Sequence, residues 1–514
     1  MKITQSYLFT LIFFVQFGFG GKLVAQQKYT VENIKQTMEE TRKSVSEDPN
    51  RPAFHLLPKA GFLADPNGAI FFNGWYHTFY LHNPYSGNPG AWTWGHARSK
   101  DLVHWEQLPA AIVPYYEMGS YEVGSGSTII NEQGVPTAFY SAMHQGTMKF
   151  WRATGNSDLT VWKHEKPNPI LSLDFKGLPK FDKYWRDPFV FRTAGRTFLI
   201  CCADLFDQPN VVVPIFEAKN KELTSWDYKG IMFTYPKYKM RNMEVPELRQ
   251  LGEKWVFFTS CDAPVAMTYG FVGNFNIEKL KFTATSEGPL DYSAHFYAQE
   301  TVQDADGNLN LLGWLSGWDR DWMPNFNTSE IINTGKWWNG CFAIPRTVIV
   351  DAKGNLIQQP VSAMKGLREE QFSLARTELP VQDVTASYKI LPFQGNQLEI
   401  KLNIELGNAG FCGVNVLCND KGRGGMSIIW SGNMINVDGV EVPIKDYKPG
   451  EKLQLHIFID KFYVEIFING GRYCVTRKIK EKNILGDHIA LTSLSGTAIL
   501  NSLEAWKLKT INEK

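Results

Sequence analysis

The sequence predicts an all-β protein of two domains, a five-bladed β-propeller followed by a C-terminal β-sandwich. Three observations carry this. A turn motif recurs three times in the first half of the chain. Five strand–turn–strand hairpins open at nearly even intervals. After about residue 350 both patterns stop, yet alternating strands continue. With 514 residues the chain exceeds what one ordinary core organises.

Taken in order, residues 1–25 read as an export signal. Lys2 supplies the positive start, Tyr7 to Phe19 is a short apolar run, and Ala25 before Gln26-Gln27 offers a small-residue cleavage site. The expected location is periplasmic or extracellular. The apolar run is too short for a comfortable membrane span, and no other stretch is apolar enough for one. Residues 26–50 form a leader, charged and helix-compatible between 30 and 47.

The propeller is expected over 51–350. Its turn motif is Asp101-Leu102 leading to Trp105, echoed by Asp158-Leu159 with Trp162 and by Glu222-Leu223 with Trp226. The acidic positions lie 57 and 64 residues apart. The hairpins open at Asp65-Pro66, Ser125-Gly126, Asp187-Pro188, Glu244-Val245-Pro246 and Tyr297-Ala298, spaced by 60, 62, 57 and 53 residues. If equivalent ends of the inner strands face the central channel, these opening residues converge in one funnel, with three acids at corresponding positions. Residues 351–372 read as a linker. Residues 373–514 carry strands such as Gln397 to Ile404 and Leu453 to Ile468, with turn signals every dozen residues or so, as in a sandwich.

Charge is balanced, 53 basic against 52 acidic residues, which gives no electrostatic reason to expect nucleic acid as a partner. Seven scattered cysteines show no metal-type spacing and read as buried thiols, with a Cys412–Cys418 pairing left open. Oligomeric state is not readable from the sequence.

Three carboxyl groups in one funnel suit acid-catalysed glycosidic cleavage. One carboxyl donates a proton to the leaving oxygen, and the other attacks the anomeric carbon or activates water. A third can hold sugar hydroxyls and favour an oxocarbenium-like transition state. The donor must remain protonated near neutral pH, which crowding against two carboxylates promotes. Glu244 has the longer reach for that role. Arg186 beside Asp187 keeps that Asp ionised.

These residues resemble glycoside hydrolase family 32, which contains invertases, levanases and inulinases. The matching pieces run from about 52 to 510: Asp65-Pro66-Asn67-Gly68, Trp94-Gly95-His96-Ala97, Ser125-Gly126-Ser127, Arg186-Asp187-Pro188, Glu244 with Pro246, the LDYSAHFYAQ segment from Leu290, Trp338-Asn339-Gly340, and LHIFIDKFYVEIFING from Leu455. The resemblance implies a retaining mechanism that requires no cofactor or metal. In it Asp65 is the nucleophile, Glu244 the acid/base and Asp187 the transition-state stabiliser, while Trp92, Ser125, Arg186 and Trp314 line the sugar pocket. The implied substrate is an oligo- or polysaccharide with β-fructofuranosidic bonds, of the fructan or sucrose type. The chain departs from the family pattern at Ala64, Leu81, Gly124, Met243 and Val245, all around the subsite that normally holds fructose. Two alternatives therefore stand beside a fructosidase: a hydrolase of another furanoside such as an arabinofuranoside, and a glycan-binding propeller without catalysis.

Overall fold

The computed structural model describes residues 29–144, 147–263, 265–315, 337–379, 388–445 and 447–511; the expected export signal lies outside them. The leader contains one helix, α1 (Val31–Ser46). The Thr30 hydroxyl caps it by accepting from the Asn33 amide at 3.1 Å, and Ile34 and Val45 anchor it through their buried side chains.

Five antiparallel sheets follow in chain order, spanning 61–112, 122–163, 181–236, 241–289 and 296–360. They are the blades of a propeller. The strand Trp338–Asn339 returns to pair in parallel with Gly61 and Phe62, fastening the end of the ring to its beginning. Residues 351–372, expected as a linker, instead carry the outer strand Leu356–Pro360 of the fifth blade, the short 3-10 turn Ser362–Leu367 and most of the first sandwich strand, Arg368–Leu374.

The recurring turn is a strained leucine held by burial. Leu102, Leu159 and Leu223 have φ of 67°, 61° and 57°, in the left-handed region that a non-glycine residue adopts at a cost. All three side chains are buried between blades, and the Trp105 and Trp162 indoles donate to the carbonyls of Leu102 and Leu159 at 2.8 Å. A fourth copy exists in the fourth blade. Leu280 has φ of 51° there, and Asn276 accepts from the Lys279 amide at 2.8 Å, much as Asn220 accepts from Thr224 at 3.0 Å. There the aromatic is Phe282 and follows the leucine by two residues instead of three, which hid this turn in the sequence.

Each inner strand is broken by a bulge at its opening residues. Ladder pairing skips 64–65 in the first blade, 124–125 in the second, 187–188 in the third, 245–246 in the fourth and 298–299 in the fifth. A bulge bends the strand and redirects its side chains. Here it releases two successive residues of every blade from the ladder where the five inner strands meet. The channel narrows below the bulges, where Pro66, Gly126, Phe189, Glu247 and Glu300 meet. It opens at the far end of the propeller into a cavity of about 480 Å³, remote from the three acids.

Two further sheets, of seven and six strands, form the sandwich. In the strand Leu453–Asp460, Leu455, Ile457 and Ile459 fill the core between the sheets, whereas Phe458 joins the propeller's core, the period of two expected of a strand buried on both faces. The contact between domains holds a buried ionic network. Arg346 is 1% exposed and donates to Glu465 at 2.8 Å, Asp291 at 3.2 Å and the Thr476 hydroxyl at 3.0 Å. His55 bridges Asp460 at 2.7 Å and Glu465 at 3.0 Å. All seven cysteines are buried. Cys412 and Cys418 do not pair because they lie on the single strand Phe411–Cys418, with a separation of roughly 20 Å for six extended residues.

Candidate active site

The bulges correct one expectation from the sequence. The three acids do not share one phase of the repeat. By register Glu244 corresponds to Arg186 and Tyr297, the last paired residues before the bulge. Asp187 corresponds to Ala64, Gly124, Val245 and Ala298, the first bulged residues. Asp65 corresponds to Ser125, Pro188, Pro246 and Gln299, the second. Three consecutive levels of the strand thus each contribute one acid. The bulge makes this workable, because it suspends the strict alternation that would point neighbouring residues to opposite faces.

Asp187 has φ of 59°, Val245 of 45° and Ala298 of 48°. A β-branched residue such as Val245 is rarely found in this region. Neighbouring blades hold the strained units by accepting from their amides. Asp187 Oδ2 accepts from the Val245 amide at 2.9 Å, Ser141 Oγ from the Asp187 amide at 2.8 Å, and Ser260 Oγ from the Ala298 amide at 3.1 Å. Gln299 ties the fifth blade to the fourth by donating to the Val245 carbonyl at 2.9 Å. Strain at the rim is thereby linked to the placement of the acids.

Arg186 joins two of the acids, and Ser125 holds the third. Ser125 Oγ donates to Asp65 Oδ2 at 2.7 Å. Arg186 Nη1 lies 2.8 Å from Glu244 Oε1, and its Nε lies 3.2 Å from Asp187 Oδ2. The Tyr297 hydroxyl donates to the other Glu244 oxygen. Asn67 orients the rim of the second blade by accepting from the Gly126 amide at 2.9 Å. Burial raises the Asp65 carboxyl to about 6; Glu244 and Asp187 add to the rise, while the Ser125 hydrogen bond and Arg186 oppose it. Burial also raises Asp187, against the pull of Arg186. Burial works against the Arg186 charge, but Asp187 and Glu244 outweigh it and hold the guanidinium well above its ordinary value.

The other expected pocket residues gather on the Asp65 side. Phe62 packs edge-on against Trp92, centroids 5.7 Å apart, and against Trp314 at 6.0 Å. Trp92 is half-buried, whereas Trp314 is 3% exposed and lies within the core. Tyr297, Asn67 and Gln299 are site residues that sequence reasoning quoted without assigning a role. Tyr297 opened the fifth hairpin, and that was the available signal.

In the nucleophile role that the resemblance implies, Asp65 must be ionised to attack, so its raised value has a kinetic consequence. The acid limb of kcat/KM is expected to bend near pH 6, well above an ordinary aspartate. Ser125→Ala removes an interaction that lowers this value, so the bend should move to higher pH. A pH–rate profile of both proteins checks this; a wild-type bend near pH 4 would refute it.

A channel-mouth cluster of two aspartates, a glutamate and an arginine on a five-bladed propeller, backed by a sandwich, defines a glycoside hydrolase. The chain belongs to glycosyl hydrolase family 32: the family's N-terminal domain matches residues 55–360 and its C-terminal domain residues 363–507. Sucrose-6-phosphate hydrolase of Zymomonas mobilis is 27% identical over 498 residues, covering 90% of this chain and 93% of that one. Levanase of Bacillus subtilis is 27% identical over 476 residues, covering 83% of this chain and 66% of the levanase. Among solved structures, fructan 1-exohydrolase IIa of Cichorium intybus superposes with a TM-score of 0.74 at 20% identity, covering 90% of this chain and 98% of that one. No helix among the described residues is long and apolar enough to cross a membrane.

Proposed function

We propose that the protein is a retaining hydrolase of β-fructofuranosidic bonds, in fructans or sucrose-like sugars. The observation that carries this is the channel-mouth cluster in which Arg186 pairs with both Asp187 and Glu244, while Asp65, held by Ser125, lies near enough for those two carboxylates to raise it. Asp65 attacks the anomeric carbon as Glu244 gives its proton to the departing oxygen. A covalent fructosyl ester forms on Asp65. Glu244, now a carboxylate, takes a proton from water, which releases the sugar with its configuration retained. Asp187 is fixed by Val245 and Arg186, and holds sugar hydroxyls through the transition state. The relatives named above act, by their names, on sucrose 6-phosphate, levan and fructan, and this supports the fructosyl reading. The test is hydrolysis of sucrose, inulin and levan followed by NMR: the first anomer released should be β. Inversion, or binding without turnover, would overturn the mechanism.

A second reading, that the sugar differs from plain fructose, is favoured by the surroundings of Asp65. Ala64 and Leu81 are buried apolar side chains. The nearby polar residues do not replace them: His82 Nε2 lies 2.9 Å from the Ala60 carbonyl, and the Asn83 amide binds Asn88 and Tyr85. A sugar hydroxyl left without a partner costs roughly 1–3 kcal/mol. Two such losses correspond to about several hundredfold in kcat/KM if felt in the transition state. Sucrose and inulin should therefore be poor substrates beside an arabinofuranoside or an otherwise altered furanoside. Ala64→Asn with Leu81→Gln should raise fructan activity. Efficient wild-type hydrolysis of ordinary fructans would defeat this reading.

We also propose export, with the mature chain starting near Gln26. N-terminal sequencing of secreted protein tests this, and a chain still beginning at Met1 would refute it.

A further inference from the structure

The leader reaches the rim of the site. Its helix α1 packs along Trp105–Ile112, the outer strand of the first blade, with Ile34 and Val45 buried. The Thr30 cap fixes where the chain enters the helix, and Tyr29 stands directly before it. The Tyr29 ring is half-buried. It meets the Tyr85 ring edge-on, with centroids 5.7 Å apart, and the Tyr116 ring at 6.1 Å. Both spacings are those of aromatic rings in contact.

The two tyrosines belong to different rim segments. Tyr85 lies in residues 84–92, which connect the strands Trp75–Asn83 and Thr93–Ser99. This connection is at the mouth end of the first blade, because Asn83 pairs with Phe62 just upstream of Asp65. Asn83 braces its near half: the side-chain amide donates to the Asn88 carbonyl at 2.8 Å, and the side-chain oxygen accepts from the Tyr85 amide at 3.0 Å. Trp92 ends its far half and packs on Phe62. Tyr116 opens the short 3-10 turn Tyr116–Met118, in the crossing from the first blade to the second. That crossing is itself held: the Gly119 amide donates to the Tyr116 carbonyl at 3.0 Å, the Tyr121 amide to the Met143 carbonyl at 3.0 Å, and Tyr116 packs on Tyr121 at 5.7 Å. It leads into the strand Glu122–Ile130, which brings Ser125 to Asp65. Tyr29 thus ties the segment ending in Trp92 to a fixed neighbour, on the Asp65 side of the cluster.

We propose that Tyr29 is a positioning residue for sugar binding, which acts by clamping segment 84–92 against the crossing at Tyr116 and so holding Trp92 at the pocket. This rests on the reading of Trp92 as a wall of the pocket beside Asp65. Tyr29→Ala removes the clamp and leaves the acids alone. KM for a hydrolysed furanoside should rise about fivefold, while kcat changes less than about twofold. Tyr29→Phe keeps the ring and should stay within about twofold of wild type in both. In a Trp92→Ala background the loss of Tyr29 should add almost nothing, because the group it positions has gone. An unchanged KM in Tyr29→Ala would overturn the proposal, and so would a Phe variant that behaves like the Ala one. Full additivity of the Tyr29 and Trp92 effects would show that Tyr29 acts elsewhere, and would overturn it too. Wild-type inactivity on every furanoside would overturn the parent reading, and this one with it.

Discussion

Asp65→Ala should lower kcat/KM by roughly four orders of magnitude or more, and Glu244→Ala by about two to four. The two losses should differ in kind. Without Asp65 no covalent ester forms, and the leaving group hardly matters. Without Glu244 the departing oxygen lacks its proton, so an activated aryl leaving group, which needs little protonation, should recover the first step and let the ester accumulate. Neither variant should unfold. Asp65 ionises at a cost in its buried setting, so its removal should leave the melting temperature unchanged or higher. Steady-state and burst kinetics on sugar and aryl substrates, with thermal melts as control, check each point. Near-native turnover in both variants, in enzyme free of contaminating hydrolase, would sink the assignment of these acids.

The largest effect on stability is expected at Arg346→Met. The arginine answers two buried carboxylates, Glu465 and Asp291, that approach it from the sandwich and from the segment joining the fourth and fifth blades. Removing one partner of such a set leaves uncompensated charge in the interior, at a cost of about 3–5 kcal/mol. Denaturant unfolding measures it, and Arg346→Lys, which keeps the charge but loses the fork, should fall between. A loss under about 1 kcal/mol would show that the network is solvated and of little consequence. His55 adds a pH dependence to the same contact. Burial opposes its charge, but the hydrogen bonds to Asp460 and Glu465 outweigh this and raise it to about 9. A raised histidine contributes fully below its unfolded value of about 6.5, and its contribution disappears as pH climbs through the folded one. The melting temperature should therefore decline between about pH 7 and 9, and His55→Gln should flatten that decline.

Much of this architecture was legible because a propeller repeats. Hairpins opening at 65, 125, 187, 244 and 297 mark five blades with no knowledge of contacts, and the leucine turns at 102, 159 and 223 confirm the phase. What the sequence hides is whatever the tertiary structure decides. Phe282 breaks the tryptophan signature, so the fourth turn went unread although Leu280 keeps its backbone conformation. The bulges cannot be anticipated from alternation, so three acids one residue out of step with each other looked equivalent. Residues 351–372 look like a connector because Lys353-Gly354-Asn355 signals a turn, yet the turn belongs to an outer hairpin of the fifth blade.

The bulges also bear on how such a protein changes over generations. A regular strand residue answers to two neighbours across the ladder, and its replacement disturbs the sheet. The first bulged position of each blade is released from that duty, and in the third, fourth and fifth blades its amide is held by a hydroxyl or carboxylate arriving from elsewhere. Within this one chain that position is Ala64, Gly124, Asp187, Val245 and Ala298, which range from glycine through alanine to a β-branched residue and an acid on a single framework. Three of the departures from the family pattern, at 64, 124 and 245, fall there. A lineage can therefore rewrite the rim of its sugar site one blade at a time while the propeller beneath stays folded. New substrates then become accessible by small mutational steps that seldom pass through an unfolded ancestor.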